Sequence, residues 1–465
     1  MFRNIFTTFA NCFKIPELKS RILFTLALLA VCRVMAYISI PGIDGAGLAK
    51  YMQEHAHGGV TSALGLYNRF AGGAYGNCAI GALGIMPYVT GSIILTLVQA
   101  VFPRLSKLAR EEGGRAKIVQ YGRYLTVPLC IGQGAYFANS YLHPGSAFQG
   151  YTGQLVVMDN IYLYYFLAIS TMTTATLLLM WLGEQITERG IGNGVSLIIT
   201  VGIVAGLPYA CGDLVTMFFP AGGLESQYHL FGTGLLLLIL LVVVIAGIIA
   251  ITQAQRKVPV QYASRMVGRK MYQGGTNYLP LQVNQSNVMP IIFASSILMF
   301  PSPLCNWLAS YAQPTFLRGP FLWLAPQLTY GAPFYLCMYA LLILFFSYFW
   351  VATTFNEIQI ADDLKKNGGY IPGVRPGQST SDYLHKSMSR LTLAGAIFLT
   401  LIAVIPIMLY KQLNISQNIA QFFGGTSILI AVGVLLNTMR QVESHLMMRH
   451  YDGFLKKGRL RGRGY

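Results

Sequence analysis

Charge is scarce in this sequence. Of 465 residues, 11% are charged and 54% are hydrophobic, where an ordinary soluble domain is roughly 25% charged. A soluble fold of this length has too little interior to hide that much apolar surface, so the composition specifies a polytopic membrane protein. Acidic residues are scarcest, 16 Asp and Glu against 33 Lys and Arg. None lies well inside an apolar run; Glu184, Glu188 and Glu357 stand at run ends. An ion-coupled transporter needs intramembrane carboxylates, so that class is disfavoured. The seven cysteines contain no C-x-x-C pair and read as small apolar residues in helices. His55 with His57, and His445 with His450, lack the further ligands of a metal site, and no Ser/His/Asp grouping stands out. Nothing here points to an enzyme or to a cofactor. The first residues, MFRNIFTTFANCFKIPELKSR, are basic and amphipathic and lack the apolar core and small-residue cleavage site of a secretory signal.

What is present is a series of long apolar runs. Runs near 20 residues, the length that crosses a bilayer, fall at about 21–40, 77–101, 119–141, 160–182, 194–209, 229–252, 288–310, 332–355, 391–410 and 425–442. The fifth is short and the last is the most polar. Ten spans put both termini on one side. Arg104, Lys107, Arg110, Arg115 and Lys117 lie between spans two and three, and Arg256, Lys257, Arg265, Arg269 and Lys270 between six and seven. Lys365, Lys366, Arg375, Lys386 and Arg390 lie between eight and nine, and the tail is basic again. The opposite loops hold only Lys50, Arg69, Arg318 and Lys411. The basic side is therefore cytoplasmic, and the net charge of +17 is a one-sided field. Two loops on that side, about 253–287 and 356–390, are longer than topology requires. A projecting basic hairpin suits a polyanion such as ribosomal RNA, or an acidic protein surface.

Two segments echo each other. GIMPYVTGSIIL begins at Gly84 and NVMPIIFASSIL at Asn287, opening spans two and seven. The offset fits two halves of five spans. Five is odd, so the halves have opposite orientation, with function expected at their interface near the midplane.

The stretch EQITERGIGNGVSLII, from Glu184, places glycine at Gly190, Gly192 and Gly194 just before an apolar helix. A phosphate loop needs G-x-x-x-x-G-K-[ST] after a strand, and neither the Lys-Ser nor the strand is here. The glycines tolerate positive φ and Asn193 can cap the next helix, so the stretch reads as a sharp bend that sends Val195 back into the bilayer. WLGEQITERGIGNGVSLII closely resembles the signature of the SecY family, the central subunits of protein-conducting channels. FAGGAYGNCAIGALGIMPYVTGSIIL, YLPLQVNQSNVMPIIFASSIL, NGGYIPGVRPGQST and QFFGGTSILI resemble further segments of that family in the same order. Together they cover nearly the whole chain from span one to span ten.

The resemblance implies an all-α polytopic membrane protein: ten transmembrane helices in two inverted pseudo-symmetric halves of five, with a short external plug helix. It divides the chain into a cytoplasmic N-terminus (1–20), a first half (21–210, plug at about 61–75), a second half (211–446) and a basic tail (447–465). The halves would face each other like a clamshell, hinged near the loop joining spans five and six. A waist ring of apolar side chains is implied at Ile85, Val89, Val195, Ile199, Ile292 and Ile430. Ile85/Val89 and Val195/Ile199 are each spaced i, i+4 and so share a helix face. A narrow aliphatic ring dewets and blocks ions, and offers no hydrogen bonds that would select among polypeptides. The family usually prefers isoleucine, so Val89 and Val195 loosen the ring slightly. The plug is implied at Leu64, Leu66, Tyr67, Asn68, Arg69 and Phe70, with Arg69 where the family commonly has an apolar residue. Gly190, Gly192, Asn193 and Gly194 form the signature bend. Docking for ribosomes and for the SecA motor is implied at Arg256, Lys257, Arg265, Arg269, Lys270 and Arg375. Further implied are a lateral gate between Ile85–Val98 and Ile291–Phe300, a heterotrimer with SecE- and SecG-like subunits, contacts with SecDF and YidC, and unfolded secretory polypeptide as substrate. The place is the bacterial inner membrane, with both termini cytoplasmic. Arg33, inside span one, is costly at that depth and should face protein or water; a contact with a membrane-embedded partner and a pairing between the halves both fit.

Overall fold

The computed structural model describes residues 15–45, 47–48, 67–68, 70–111, 113–144, 153–218, 224–262, 265–267, 270–272, 275–299, 301–311, 315–329, 331–413 and 426–457. The first half contains α1 (Pro16–Val34), a 3-10 turn (Ile80–Leu83), α2 (Met86–Val101), α3 (Pro103–Arg110), α4 (Gly114–Leu142), α5 (Ile161–Arg189), α6 (Gly194–Val204) and α7 (Leu207–Phe218). α8 (Leu224–Gln253) leads into β1 (Gln255–Tyr262), β2 (Arg265–Val267), β3 (Lys270–Tyr272) and β4 (Thr276–Gln282). There follow α9 (Met289–Met299), α10 (Pro301–Tyr311), α11 (Thr315–Gln327), α12 (Pro333–Thr354), α13 (Glu357–Lys366), β5 (Gly369–Tyr370), α14 (Gln378–Leu413) and α15 (Thr426–Lys457).

Each expected span coincides with a helix, with four changes. The fifth divides into α6 and α7, and the seventh into α9 and α10, where Pro301 opens the second piece. The ninth begins thirteen residues early, at Gln378, and the tenth continues to Lys457, so the 446/447 division falls inside a helix, as the 210/211 division falls inside α7. Among the described residues five stretches are long and apolar enough to cross a membrane: Ile80–Val101, Ile161–Arg189, Gly234–Gln253, Pro333–Lys366 and Gln378–Ile405. On α8, Leu236, Ile239, Val242 and Val243 are exposed while Val244 and Ile248 are buried. An apolar face bared on that scale is tolerated by lipid and not by water. The chain is a mostly helical multi-pass membrane protein.

Local chemistry explains the helix starts. Proline stands in the first turn of α1, α2, α3 and α12, where its missing N–H costs nothing. Asn160, Asn193 and Asn356 accept amide bonds at the starts of α5, α6 and α13. Hydroxyls within the helices bond back one turn: Thr90 donates to the Met86 carbonyl, Thr126 to Gly122, Thr200 to Ser196 and Ser296 to Ile292. In hydrocarbon this is how a hydroxyl is satisfied without water.

The buried side chains form three main groups. The largest joins residues of α1, α2, α5 and α6 to residues of α8, α9, α12, α14 and α15. A second, aromatic group centred on Tyr67, Tyr75, Phe137, Tyr141 and Tyr164 belongs to the first half alone. The third lies at the basic end. Here the two long loops combine, which an all-helical reading does not foresee. β1 pairs antiparallel with β4 and also with β5, in the order β4-β1-β5. Val258 and Val260 point inward and alternate with exposed Lys257 and Pro259. They pack with Leu281, Ile371, Leu384 and Met388. Strands form here because the loop lies beyond the apolar runs and carries a period-2 pattern, Val258, Val260 against Leu279, Leu281. Leu384 is fully buried in this group, so Leu384→Ala should cost the platform about 2–5 kcal/mol. Hydrogen exchange should quicken in β1 and β5 while the amides of α5 and α12 keep their protection.

Candidate functional site

The six aliphatics of the implied ring all fall in or against one large buried cluster. Ile85, Val89, Ile199, Ile292 and Ile430 are buried members of the largest cluster, and Val195 packs against it. Ile85 is 2% exposed, Ile292 2% and Ile430 0%, so no open passage runs between them. α2 packs directly on α9, bringing the two halves into contact at the echo segments. The echo extends to backbone geometry. Gly84 has φ 55° and Asn287 φ 52°, both left-handed, and each precedes a helix with Met-Pro in its first turn. These two residues turn the chain so that Ile85 and Val288 start the equivalent helices.

The glycine signature is a turn in which backbone amides are individually held. The Gly190 N–H bonds to the Ile186 carbonyl at 2.8 Å. Ile191 N–H donates to Thr25 Oγ1 of α1 at 3.1 Å, Gly192 N–H to Gln441 Oε1 of α15 at 2.9 Å, and Gly194 N–H to Thr187 Oγ1 at 2.9 Å. Asn193 Oδ1 accepts the Ser196 N–H and so caps α6. Gly192 has φ +88°, and a Cβ there would lie 3.0 Å from Thr438 Oγ1. A Cβ on Gly194 would collide with the Gly183 carbonyl. The glycines are required by φ at one position and by backbone contact at another. The bend therefore fixes α1, α5, α6 and α15 to one another at the basic end.

Of the implied plug, Leu64, Leu66 and Arg69 lie outside the described residues. Tyr67 is buried, donates its hydroxyl to the Leu83 carbonyl and meets Phe137 edge-on with centroids 4.8 Å apart. Asn68 accepts the Gly76 N–H on Oδ1 and the Gly73 N–H on its carbonyl. Phe70 packs against both large clusters. Arg33 donates to the Gly72 carbonyl at 2.5 Å, so its partner is backbone of the same half.

The SecY family profile matches residues 79–439. The chain belongs to the SecY family. "Protein translocase subunit SecY" of Streptomyces galbus is 43% identical over 97% of this chain and 100% of the relative. The same-named proteins of Chlamydia muridarum and Vibrio cholerae are 39% and 40% identical, over 98% and 97% of this chain and 99% and 96% of the relatives. Among solved structures, "The structure of a protein conducting channel" shares the fold with TM-score 0.61 at 18% identity, covering 91% of both chains. "Sec61 in the Canine ribosome-channel complex from the endoplasmic reticulum" does so with TM-score 0.57 at 17% identity and the same coverage.

Of the docking residues expected from the SecY resemblance, Arg256 and Lys257 are exposed on β1, and Arg375 is exposed on the turn after β5. That turn is shaped by Gly373 (φ +81°) and Gly377 (φ +107°), and Thr380 Oγ1 donates to the Arg375 carbonyl at 2.9 Å. Gln261 pairs with Tyr370, which ties both loops into one platform. Arg265 and Lys270 stand on the paired strands β2 and β3; Arg269 lies outside the described residues.

Sequence reasoning missed several participants. A second echo, VSLIITVGI from Val195 and TSILIAVGV from Thr426, equates Ile199 with Ile430 and Gly202 with Gly433. Both glycines admit close contacts: a Cβ on Gly433 would collide with Val288, and one on Gly202 would lie 2.8 Å from the Phe70 carbonyl oxygen. The first echo equates Val288 with Ile85, and Val288 is 7% exposed in the same cluster. Thr25 and Gln441 carried no signal in sequence, since their role depends on which helices meet. Thr25→Val and Gln441→Ala each leave a loop amide without its acceptor. Each should lower stability by about 1–3 kcal/mol, read as a fall in the thermal midpoint in detergent, with the larger loss at buried Thr25.

Proposed function

We propose that the chain is the central subunit of a protein-conducting channel in the bacterial inner membrane, with both termini cytoplasmic. It passes unfolded secretory polypeptides through the aliphatic ring and releases signal sequences and transmembrane segments sideways between α2 and α9. The observation that carries the reading is that Ile85, Val89, Ile199, Ile292 and Ile430 are all buried in one apolar cluster with Val195 packed against it, and that α2 meets α9 beside it. The curated relatives are named protein translocase subunits, which supports it.

The chemistry of the ring fits a conduit without sequence preference. Branched aliphatic side chains present no donors or acceptors, so a passing chain is neither held nor selected, and the same surface expels water and ions at rest. α2 and α9 carry Pro87 and Pro290 in their first turns, and each helix meets the other through side chains alone. Apolar contact is non-directional, so the seam can part and re-form without breaking a hydrogen-bond ladder. A segment that slips out gains roughly 0.8 kcal/mol per CH₂ buried in lipid.

The chain itself is a passive channel; the drive comes from the SecA motor or the translating ribosome. The exposed Arg256, Lys257 and Arg375 on the shared platform suit an acidic protein surface or ribosomal RNA. SecE- and SecG-like subunits complete a heterotrimer, with SecDF and YidC as further partners. The plug reading assigns the segment ending in Tyr67–Tyr75 to the external stopper of the ring.

The decisive experiment places cysteine pairs across the seam between Ile85–Val98 and Ile291–Leu298. They should crosslink at rest, and the joined channel should stop exporting a signal-bearing client until the disulfide is reduced. Normal secretion and membrane insertion with the seam fully crosslinked would sink the lateral-gate reading. For docking, Arg256→Glu with Lys257→Glu, and separately Arg375→Glu, should weaken ribosome or motor binding without altering membrane insertion of the chain. Wild-type binding should also weaken as salt rises; equal binding by parent and variants at low salt would remove these residues from the interface.

A further inference from the structure

We propose that Arg33 is the latch of the closed channel: its guanidinium holds the Gly72 carbonyl, and the plug segment leaves only when that bond breaks. The inference rests on the plug reading above and gives it a residue that does the holding.

Arg33 sits in the last turn of α1, within an apolar span where an unpaired charge is strongly disfavoured. Its two terminal nitrogens have different kinds of partner. Nη2 donates to the Tyr37 hydroxyl at 3.3 Å, and the guanidinium carbon lies 5.1 Å from the Tyr37 ring centroid, within cation–π reach. Tyr37 is one turn further along the same chain segment and moves with Arg33. Nη1 donates to the Gly72 carbonyl at 2.5 Å, 39 residues away on the plug segment. The guanidinium thus has one partner that always accompanies it and one that can depart. A charge-assisted bond of this kind is among the stronger single contacts.

The backbone around Gly72 is shaped to receive it. Gly72 has φ +67° and Gly73 φ +87°, a left-handed pair that glycine adopts without strain. A Cβ on Gly72 would collide with Arg33 Nη1 and lie 3.0 Å from Gly202 Cα. A Cβ on Gly202 would lie 2.8 Å from the Phe70 carbonyl oxygen and 3.4 Å from Gly72 N. The segment Phe70–Gly72 is therefore held in a slot without side chains, between Arg33 of α1 and Gly202 of α6. Gly202 is three residues beyond ring residue Ile199, so the slot joins the plug segment to the helix that carries two ring positions. A hollow beside it is lined by Cys32, Arg33, Phe70, Gly84, Ile198 and Gly202. Once the segment withdraws, Arg33 faces that hollow with Tyr37 alone, a costlier setting than the closed one. The latch thereby biases the channel toward closure, and a lost partner is regained on return.

The test uses the assembled complex in planar bilayers. Arg33→Gln should raise the resting open probability roughly ten-fold or more, the factor implied by losing one hydrogen bond to a charged group. Arg33→Lys, which keeps the charge and a donor, should restore most of the seal. Gly72→Ala attacks the other partner and should leak as well, so the proposal stays testable where one variant fails to assemble. Ile199→Ser serves as the control that leaks by wetting the ring. A disulfide between Phe70→Cys and Val201→Cys, in a Cys32→Ser background, should reseal the Arg33→Gln channel when oxidised and release it when reduced. If Arg33→Gln and Gly72→Ala both assemble and stay as tight as the parent while Ile199→Ser leaks, the latch is overturned. Equal leaks from Arg33→Gln and Arg33→Lys would overturn it too, because the bond would then be irrelevant. A leak that persists through the disulfide would show that this segment is not the seal, and the plug reading itself would fall.

Discussion

A backbone N–H buried inside protein is out of reach of water, so it must find its acceptor in the protein. That constraint governs the glycine signature. A bend at the end of α5 interrupts the helical ladder and frees several amides at once. The chain answers with Thr25 from α1, Gln441 from α15, and Thr187 and Asn193 from its own flanks. Two of these acceptors lie far away in sequence, one in each half. The requirement to satisfy a local turn is therefore also what fastens distant helices together at the basic end. The neighbouring bond from Arg440 Nη2 to the Thr252 carbonyl, at 2.7 Å, extends the same collar to α8, three residues before β1 begins.

Away from this collar the contacts between halves are of another kind. α2 and α9 pack on each other, and apolar side chains of both lie in the largest buried cluster. Directional bonds fix position; apolar contacts only exclude water. The molecule is thus firmly registered at the end where the platform sits and held by non-directional contact along the seam. The two echoes place similar backbone features at matching positions. Gly84 and Asn287 both take positive φ, and Gly202 and Gly433 each admit a neighbour where a side chain would not fit.

Much of the architecture was legible beforehand because membrane spans announce themselves by apolar length. Ten runs foretold the helices to within a few residues at most ends, and the signature motif led to the family. The misses have physical causes. α9 and α10 read as one span because a proline at the start of a helix is invisible to hydropathy. The strands of the basic platform were hidden because β1 and β5 lie over a hundred residues apart, and pairing between them is a tertiary fact. Arg33 stood out as a charge at the wrong depth, yet its acceptor is a carbonyl, and every residue has one. No side-chain pattern distinguishes Gly72 as the recipient except the glycine pair itself.

The division between directional and non-directional contacts also bears on why an aliphatic seal needs polar restraints at all. A ring of Ile and Val closes by dewetting, but apolar surface alone does not specify a single arrangement; several packings of similar area have similar energy. A seal that must re-form after each polypeptide has passed needs its walls returned to one register. The collar of Thr25, Thr187 and Gln441 provides that on the basic side of α6. On the opposite side of the same short helix, Gly202 abuts the Phe70–Gly72 backbone. Val195 and Ile199 lie between these two fixed ends. An eleven-residue helix held at both termini presents them at a set depth, while Val89 and Ile292 ride on α2 and α9, which lie outside the hydrogen bonds of the collar.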